Sequence, residues 1–261
     1  KVLEFVGDGV YNLSMEYRMG IDVMTTESTA LSSVWCTDGK TEEFLSEHGR
    51  GDAYREMAPE TGAYYDGLIE IDLSSVECMI ALPFHPSKAH TIHEFQKNAK
   101  ALLAEVEAEA AKKFPKAKTD LVSKVQPDGS VLADQGVIAG CAGGTYDNIM
   151  EAAAILKGRK VNPNVRTIII PATQEVYLQC IEEGLTKIFI QAGAIVSTPT
   201  CGPCLGGHMG ILAHGEKAVS TTNRNFVGRM GHITSEIYLA SPAVAAASAV
   251  AGYICAPDDL K

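Results

Sequence analysis

Two cysteines in the stretch T-P-T-C-G-P-C-L-G-G-H-M-G are the first candidates for chemistry. Cys201 and Cys204 form a C-x-x-C pair, a spacing that serves both thiol–disulfide exchange and metal binding. A redox pair sits at the start of a helix, where the helix dipole lowers the thiol pKa. Here a threonine precedes Cys201, and three nearby glycines would weaken the long helix that should follow. The flanking residues therefore disfavour thiol exchange.

A third cysteine, Cys141, extends the choice to metal sites. Three thiolates and a histidine such as His208 could complete a tetrahedral zinc site. Three thiolates also suit an iron–sulfur cube, because each of its four irons requires a ligand. The remaining iron would be open to a substrate hydroxyl and carboxylate and could act as a Lewis acid. We therefore favour the cluster, with structural zinc and thiol exchange as alternatives.

Strands that alternate with helices are predicted to position these cysteines. Apolar runs and turn residues predict strands at 136–140, 165–171, 194–197 and 218–222, and helices at 145–158, 172–184 and 241–254. The alternation is typical of a parallel sheet with helices on both faces. Ligands of such folds bind beyond the carboxyl ends of the strands, where Cys141 and Cys201 both fall. The predicted fold class is α/β, with a three-layer α/β/α domain.

A long helix is predicted over 94–117, because alanine, glutamate, lysine and leucine dominate there. Pro115 would end it. We place a domain boundary at this helix, which predicts three parts: a partial α/β domain at 1–93, a connecting helix at 94–115 and the cysteine-bearing domain at 116–261.

The first 93 residues carry weaker signals. The run G-L-I-E-I-D-L (67–73) alternates apolar and acidic residues, as an amphipathic strand would. The run T-T-E-S-T-A-L-S-S-V-W (25–35) predicts a packed helix carrying Glu27. The residues 82–93, with two prolines and three histidines, are predicted to form a loop.

The composition limits the possible partners. The 261 residues carry 22 basic and 32 acidic side chains, a net charge of −10. This balance argues against a nucleic-acid or anionic-membrane surface, which needs clustered cations. No uncharged apolar run reaches the ~18 residues of a membrane span, and the first residues do not resemble a signal peptide. Seven irregularly spaced cysteines are typical of reduced thiols, so we expect a cytoplasmic protein.

Several segments together closely resemble the aconitase superfamily. The most specific are T-P-T-C-G-P-C-L-G-G-H-M-G-I-L-A-H-G-E and V-S-T-T-N-R-N-F-V-G-R-M-G. Within the superfamily, the chain is most similar to the large subunits of isopropylmalate dehydratase and homoaconitase in their archaeal-type form. The resemblance extends from L-E-F-V-G-D-G-V-Y-N-L-S to the A-V-A-A-A-S-A-V-A-G helix and lacks a clear counterpart only around 94–133. It implies the C-terminal portion of such a subunit.

The resemblance assigns the cysteines. It implies that Cys141, Cys201 and Cys204 hold a [4Fe-4S] cluster whose open iron binds the substrate. The other four cysteines sit among apolar neighbours and are expected to be core thiols, namely Cys36, Cys78, Cys180 and Cys255.

The resemblance also assigns substrate and catalytic residues. It implies that Arg224 and Arg229 bind substrate carboxylates, which suits the rigid donor fork of arginine, and that Asn223 lies near the cluster. Glu27 matches an acidic residue that orients a catalytic histidine. Surface salt bridges for the arginines and an exposed helix carboxylate for Glu27 are the alternatives.

Three positions depart from the family pattern. Ala142 and Gly143 replace the threonine and asparagine that usually follow the first cysteine, and Val23 replaces a family asparagine. The changes remove polar groups that could tune a cluster and its substrate preference.

The implied function is that of a hydro-lyase acting on a hydroxy di- or tricarboxylic acid. The family's remaining catalytic residues, on an earlier segment and on a small swivelling subunit, have no counterpart here. We therefore expect an incomplete large subunit of amino-acid biosynthesis that works with a small subunit. The alternative is a binding or regulatory module that kept the fold without the cluster. Its RNA-binding form is disfavoured by the charge of −10.

Overall fold

The structure is a computed structural model that describes residues 1–260. The chain divides into two compact units, Lys1–Glu77 and Cys78–Lys261. This division falls earlier in the chain than the predicted boundary at 94–115. The predicted boundary refers to a domain, whereas this division reports compactness alone, so the boundary stays a prediction. No helix among the described residues has both the length and the hydrophobicity needed to cross a membrane.

The first unit combines two helices with a two-stranded parallel sheet. Its elements are β1 (Val2–Phe5), α1 (Met15–Thr25), β2 (Ser32–Trp35) and α2 (Gly39–Glu47). Ser14 and Asp38 accept hydrogen bonds from the first turns of α1 and α2, as N-caps do. Arg18 is buried and donates to the Asp38 carboxylate at 2.6 Å, which ties the two helices together.

Two predictions for the first unit are wrong. The predicted helix at 25–35 is a short 3-10 turn, Thr26–Ser28, followed by β2. Thr29 adopts a left-handed φ of 59°, which ends the helical path before the β-prone S-S-V-W run. The predicted strand at 67–73 forms no sheet pairing, and its apolar side chains are exposed. Alternation supplies the pattern of a strand, but a strand also needs a neighbour for its backbone hydrogen bonds.

The second unit is built on a seven-stranded mixed sheet. Its strands are β3 (Met79–Ala81), β4 (Ala89–Thr91), β5 (Gln135–Ala139), β6 (Arg166–Ile170), β7 (Ile195–Val196), β8 (Lys217–Ser220) and β9 (Glu236–Ala240). The spatial order is β4-β3-β9-β8-β5-β6-β7. The five strands from β9 to β7 are parallel, whereas β3 pairs antiparallel with both β4 and β9. The fold is α/β, as predicted, and the antiparallel edge is a feature that the sequence did not reveal.

Six helices accompany this sheet. They are α3 (Ile92–Lys113), α4 (Gly140–Gly143), α5 (Tyr146–Leu156), α6 (Gln174–Glu182), α7 (Leu185–Ala192) and α8 (Pro242–Ala251). The helices and strands predicted after residue 133 are confirmed, with shifts of a few residues at their ends. The loop predicted at 82–93 is wrong in its last part, where β4 forms and α3 begins. Helix α3 packs into the core of the second unit through a stripe of apolar residues that includes Phe95, Leu103 and Val106.

Two apolar clusters cover the sheet. Alternation along each strand separates them, because successive side chains point to opposite faces. One cluster contains Ile138 and Ile169 together with residues of α3, α5, α7 and α8. The other contains Val137 and Ile168, and it receives Leu212 and Met230 from loops. These loop residues flank the candidate site, so the second face of the sheet supports it directly.

Candidate active site

The three site cysteines follow two parallel strands, as the sequence predicts. Cys141 lies in α4, directly after β5, behind Gly140 with a left-handed φ of 78°. Cys201 and Cys204 follow β7 and belong to a 3-10 turn, Gly202–Leu205, of which Cys201 is the N-cap. Cys141 and Cys201 are exposed, and Cys204 is buried at 9% exposure. Two accessible thiols and one buried thiol therefore stand at the carboxyl edge of the sheet.

Close backbone approaches hold the C-x-x-C turn in place. A methyl group at Gly206 would lie 3.0 Å from the Gly231 nitrogen and 3.0 Å from the Met230 carbonyl carbon. A methyl group at Gly202 would lie 3.4 Å from Ile170 Cδ1, at the end of β6. The turn therefore packs against the end of one strand and against the segment that carries Arg229. Gly206, one of the glycines that disfavoured a redox helix, is thus a residue that allows this packing.

Arg229 connects the arginine motif to the cysteines. Its Nη2 donates to Cys204 Sγ at 3.6 Å, and its guanidinium lies 5.4 Å from the centre of the Phe226 ring. Its buried Nε has no hydrogen-bond partner within the described chain. Burial raises the pKa of Cys204, Arg229 opposes that shift, and charge on Cys201 or Cys141 adds to it. The Cys201 and Cys141 thiols therefore both lie within electrostatic range of Cys204.

The rest of the arginine motif is anchored by a residue that the sequence reasoning missed. Asn225 is 1% exposed, and its Nδ2 donates to the Leu82 carbonyl at 2.7 Å. Its own carbonyl accepts a hydrogen bond from Phe84 N. Asn223 and Arg224, the two residues before this anchor, are half-buried. The second asparagine of N-R-N was the available signal, since a polar residue inside a functional loop often fixes the loop itself.

Gly143 packs directly against the loop after β8. A methyl group at Gly143 would lie 2.1 Å from Thr221 Cβ, and Thr221 is itself buried. Thr221 Oγ1 accepts a hydrogen bond from Ala139 N at the end of β5. The neighbouring Ala142 is half-buried, and its carbonyl accepts a hydrogen bond from Asn148. The short cysteine-bearing helix thus rests directly on the loop after β8.

This contact predicts that Gly143→Ala destabilises the second unit. The added methyl group must displace Thr221 or α4, and overpacking of this kind costs about 1–3 kcal/mol. Urea unfolding followed by far-UV circular dichroism measures the change. Gly39→Ala is the control, because a methyl group there meets nothing within 4 Å. An unchanged midpoint for Gly143→Ala would contradict the close packing.

His208 pairs with the threonine that precedes the C-x-x-C turn. Its Nε2 lies 3.2 Å from Thr200 Oγ1, which also accepts a hydrogen bond from Gly202 N. The histidine is exposed and braces the turn in this arrangement. Its side chain is therefore engaged with the loop itself.

The three site cysteines supply thiolates, the ligand that an iron–sulfur cluster requires. Among residues 1–260, no three His, Cys, Asp or Glu side chains are close enough together to ligate a single metal ion. Tetrahedral zinc would require thiolates about 3.8 Å apart, given Zn–S bonds of about 2.3 Å. A [4Fe-4S] cube spreads its thiolates over separate irons. Cys141, Cys201 and Cys204, with an arginine donor on one sulfur, have the chemistry of such a set.

Glu27 belongs to the first unit and is described by itself. It lies on the 3-10 turn after α1, half-buried, and its Oε1 is 3.4 Å from Thr26 Oγ1. Thr26 Oγ1 donates a hydrogen bond to the backbone carbonyl of Val23, in α1, at 3.0 Å. The predicted packed helix around Glu27 is therefore replaced by a turn. Its predicted catalytic role stays a prediction.

The remaining cysteines differ from one another. Cys36, Cys180 and Cys255 are buried, as predicted, and burial raises their thiol pKa values, to about 11 for Cys180 and about 12 for Cys255. Cys78 is exposed, so its predicted place in the core is wrong. It lies at the boundary of the two units, just before β3, where no apolar layer covers it.

Comparisons with known proteins support the resemblance over nearly the whole chain. The sequence profile of the aconitase family (aconitate hydratase) matches residues 1–252. The chain is 47% identical to the 3-isopropylmalate dehydratase large subunit of Clostridium kluyveri over 258 residues, which are 99% of this chain and 53% of that subunit. It is 48% identical to the same subunit of Acetivibrio thermocellus, covering 99% of this chain and 54% of the relative.

A relative named for a different substrate is nearly as similar. The 2,3-dimethylmalate dehydratase large subunit of Eubacterium barkeri is 42% identical over 258 residues, covering 99% of this chain and 54% of the relative. The chain thus spans about half the length of the curated relatives it matches. With a family profile that covers 252 of 261 residues, the chain belongs to the aconitase family.

Proposed function

We propose that the chain is part of a hydro-lyase that removes water from, and adds it to, a hydroxy di- or tricarboxylic acid. One observation carries the proposal: three thiols and the Arg229 side chain lie together at one edge of the sheet. Cys141 and the C-x-x-C turn bring three thiols to the carboxyl edge of the sheet, and Arg229 from the next loop donates to one of them. Family membership supports the same reading.

Cys141, Cys201 and Cys204 would hold a [4Fe-4S] cluster. When bound, a cluster with one open iron supplies a Lewis acid that polarises the substrate's carbon–oxygen bond. Arg224 and Arg229 would bind and orient the substrate carboxylates through charge-assisted hydrogen bonds. The proton on carbon would be removed by a base that lies outside this chain.

The substrate is proposed from the activities for which the relatives are named. Their names specify 3-isopropylmalate and 2,3-dimethylmalate dehydratases, and both substrates are malates with alkyl substituents. Homocitrate would likewise present a hydroxyl beside carboxylates, and homoaconitate is the kind of unsaturated acid to which water would be added. The arginines would bind the carboxylates that all of these acids share. Residues elsewhere in the enzyme would therefore have to distinguish the alkyl substituents.

The complete enzyme is proposed to need more than this chain. The relatives are named large subunits, and we propose a small swivelling subunit as the partner, together with the part of the large subunit that the chain does not span. A cluster with exposed thiolate ligands is compatible with a reducing cytoplasm. Amino-acid biosynthesis is the proposed setting.

The proposal is tested by measuring the iron and acid-labile sulfide content of the anaerobically purified chain and its electron paramagnetic resonance spectrum. We expect about four irons and four sulfides per chain. On the reduced chain, 3-isopropylmalate or 2,3-dimethylmalate is expected to shift the electron paramagnetic resonance spectrum, whereas succinate, which lacks a hydroxyl, is not. Arg224→Gln should keep the iron and lose the shift. A chain without iron after reconstitution would favour the cluster-free binding module, and an identical spectrum with every acid would contradict the substrate class.

A further inference from the structure

The segment that carries Arg224 and Arg229 has no regular secondary structure of its own. Residues 223–230, called the arginine loop below, form neither helix nor strand. A guanidinium on such a loop is placed only as precisely as the loop is held. A misplacement of about 1 Å can lower a reaction rate by a factor of about 100. The contacts that fix this loop therefore decide how well its arginines can bind a carboxylate.

Asn225 joins the arginine loop to two other segments of the second unit. Its Nδ2 donates to the Leu82 carbonyl at 2.7 Å and to the Ile237 carbonyl in β9 at 3.4 Å. Its buried Oδ1 accepts no hydrogen bond from the described residues. The opposite orientation of the amide would place its oxygen against two carbonyls, so the side chain acts as a donor.

The segment that receives this hydrogen bond contains a strained residue. Phe84 has a φ of 79°, in the left-handed region that bulky side chains rarely adopt. It is buried, and it belongs to the apolar cluster that includes Val106 and Ala110 of α3. Its backbone N–H donates to the Asn225 carbonyl at 2.9 Å. Strain of this kind persists only where the surrounding structure enforces it, and it is concentrated at functional sites.

Each arginine directly precedes a buried anchor residue. Arg224 precedes Asn225, whose side chain and backbone are both bonded to residues 82–84. Arg229 precedes Met230, which is fully buried and whose carbonyl accepts a hydrogen bond from Leu212 N at 2.8 Å. The arginine loop is thus held at two points, and the first of them depends on the turn at Phe84.

We propose that Asn225 is a positioning residue that places Arg224 and Arg229 for the substrate carboxylates. The left-handed turn at Phe84 holds Asn225, and the packing of Phe84 beside α3 keeps that turn in its strained conformation. Asn225 needs no contact with the substrate for this role. The inference rests on the proposed function of the two arginines.

The first test replaces the asparagine in the full chain. Leucine is close to asparagine in size but cannot donate, so Asn225→Leu should release the arginine loop. Hydrogen exchange, which requires neither iron nor substrate, is expected to be at least about tenfold faster at Phe84 and at the amides of 224–230. The shift of the electron paramagnetic resonance spectrum with 3-isopropylmalate or 2,3-dimethylmalate should require at least about tenfold more acid, at an unchanged iron content.

Asn162→Leu is the matched control. Asn162 Nδ2 also donates to a backbone carbonyl, that of Ala251 at 3.3 Å. Asn162 precedes β6, at the edge of the sheet opposite the cysteines. Its variant should leave both the exchange of the arginine loop and the concentration of acid needed for the spectral shift unchanged.

Two substitutions at Phe84 separate the backbone conformation from the packing. Phe84→Ala and Phe84→Gly lose nearly the same side chain, but alanine resists a φ of 79° and glycine adopts it freely. Phe84→Ala is expected to speed the exchange of the arginine loop as Asn225→Leu does. In Phe84→Gly that exchange should be at least about fivefold slower than in Phe84→Ala. This comparison decides the inference even if Asn225→Leu does not fold.

Three results would overturn the positioning role. Unchanged exchange in Asn225→Leu would show that Asn225 does not hold the loop. Faster exchange with an unchanged response to the acids would make the anchor structural alone. Equal exchange in Phe84→Ala and Phe84→Gly would remove the left-handed turn from the argument.

A wild-type spectrum that responds to neither acid would instead contradict the proposed function of the arginines. The exchange rates of the arginine loop would still decide, in the same samples, whether Asn225 and Phe84 hold it.

Discussion

Serine at any one of Cys141, Cys201 or Cys204 is expected to remove most of the iron that the anaerobically purified chain binds. A hydroxyl is a poorer ligand for iron than a thiolate, and a cube held by three protein thiolates has no spare ligand. The fold should survive, because serine is close to cysteine in size and Cys141 and Cys201 are exposed. Iron and acid-labile sulfide per chain, with the visible absorption spectrum, measure the loss.

Cys78→Ser is the control for the cysteine series. Cys78 is an exposed thiol of the same unit, so its variant should keep a wild-type iron content. If all four serine variants bound the same iron, the metal would not be held by the C-x-x-C turn. Iron lost from the Cys201 and Cys204 variants but kept by Cys141→Ser would contradict the three-thiolate set and restore a two-cysteine site.

Removal of Lys124 is expected to cost the second unit about 3–5 kcal/mol of unfolding free energy at neutral pH, the range for breaking one partner of a buried ion pair. Lys124 pairs with Glu236, which is fully buried in β9. Glu236 also accepts a hydrogen bond from Tyr238 at 2.9 Å. Lys124→Met keeps the length of the side chain but leaves the carboxylate with only the weaker electrostatic effect of Lys217.

The loss of unfolding free energy caused by Lys124→Met should become smaller as the pH falls. Burial raises the pKa of Glu236 even with Lys124 present, because desolvation outweighs the lysine's opposing effect. Without the lysine the folded-state pKa rises further above the unfolded value of about 4.3. A carboxyl with a raised folded pKa favours the folded state below the unfolded pKa and loses that contribution as the pH rises. Lys124→Met should therefore be least stable near pH 8 and recover towards pH 5.

Urea unfolding at several pH values tests this expectation. Lys113→Met is the control, because Lys113 lies 3.8 Å from Glu109 in an exposed pair. Exposed pairs of this kind contribute about 0–1 kcal/mol. If the two methionine variants were equally stable, or if the Lys124 deficit grew on acidification, the ion pair would not carry the stability assigned to it.

Most elements after residue 133 were readable from the sequence, because local rules determine them. The apolar runs of β5 and β6 have no helical alternative of sufficient length, and the glycines at 158 and 184 end helices through their left-handed φ values of 76° and 77°. Thr173 caps α6 as the pattern predicts. Cys141 and Cys201 at strand ends follow from the same reading.

The predictions failed where the answer depends on a neighbour. The run at 67–73 has the alternation of a strand, yet no adjacent strand pairs with it in the structure. Strands β3 and β9 were missed because their pairing joins residues about 160 positions apart, as in Ile80 opposite Ala240. A local pattern carries no information about such a partner.

The sequence by itself determined the α/β class, the parallel strands that carry the cysteines and the residue types of the site, because periodicity, caps and motif spacing are local properties of the chain. Only the tertiary structure decided that Arg229 donates to Cys204, that Asn225 anchors the arginine loop and that Gly143 rests on Thr221. These contacts join loops that follow different strands, so the sheet's strand order has to form before any of them exists.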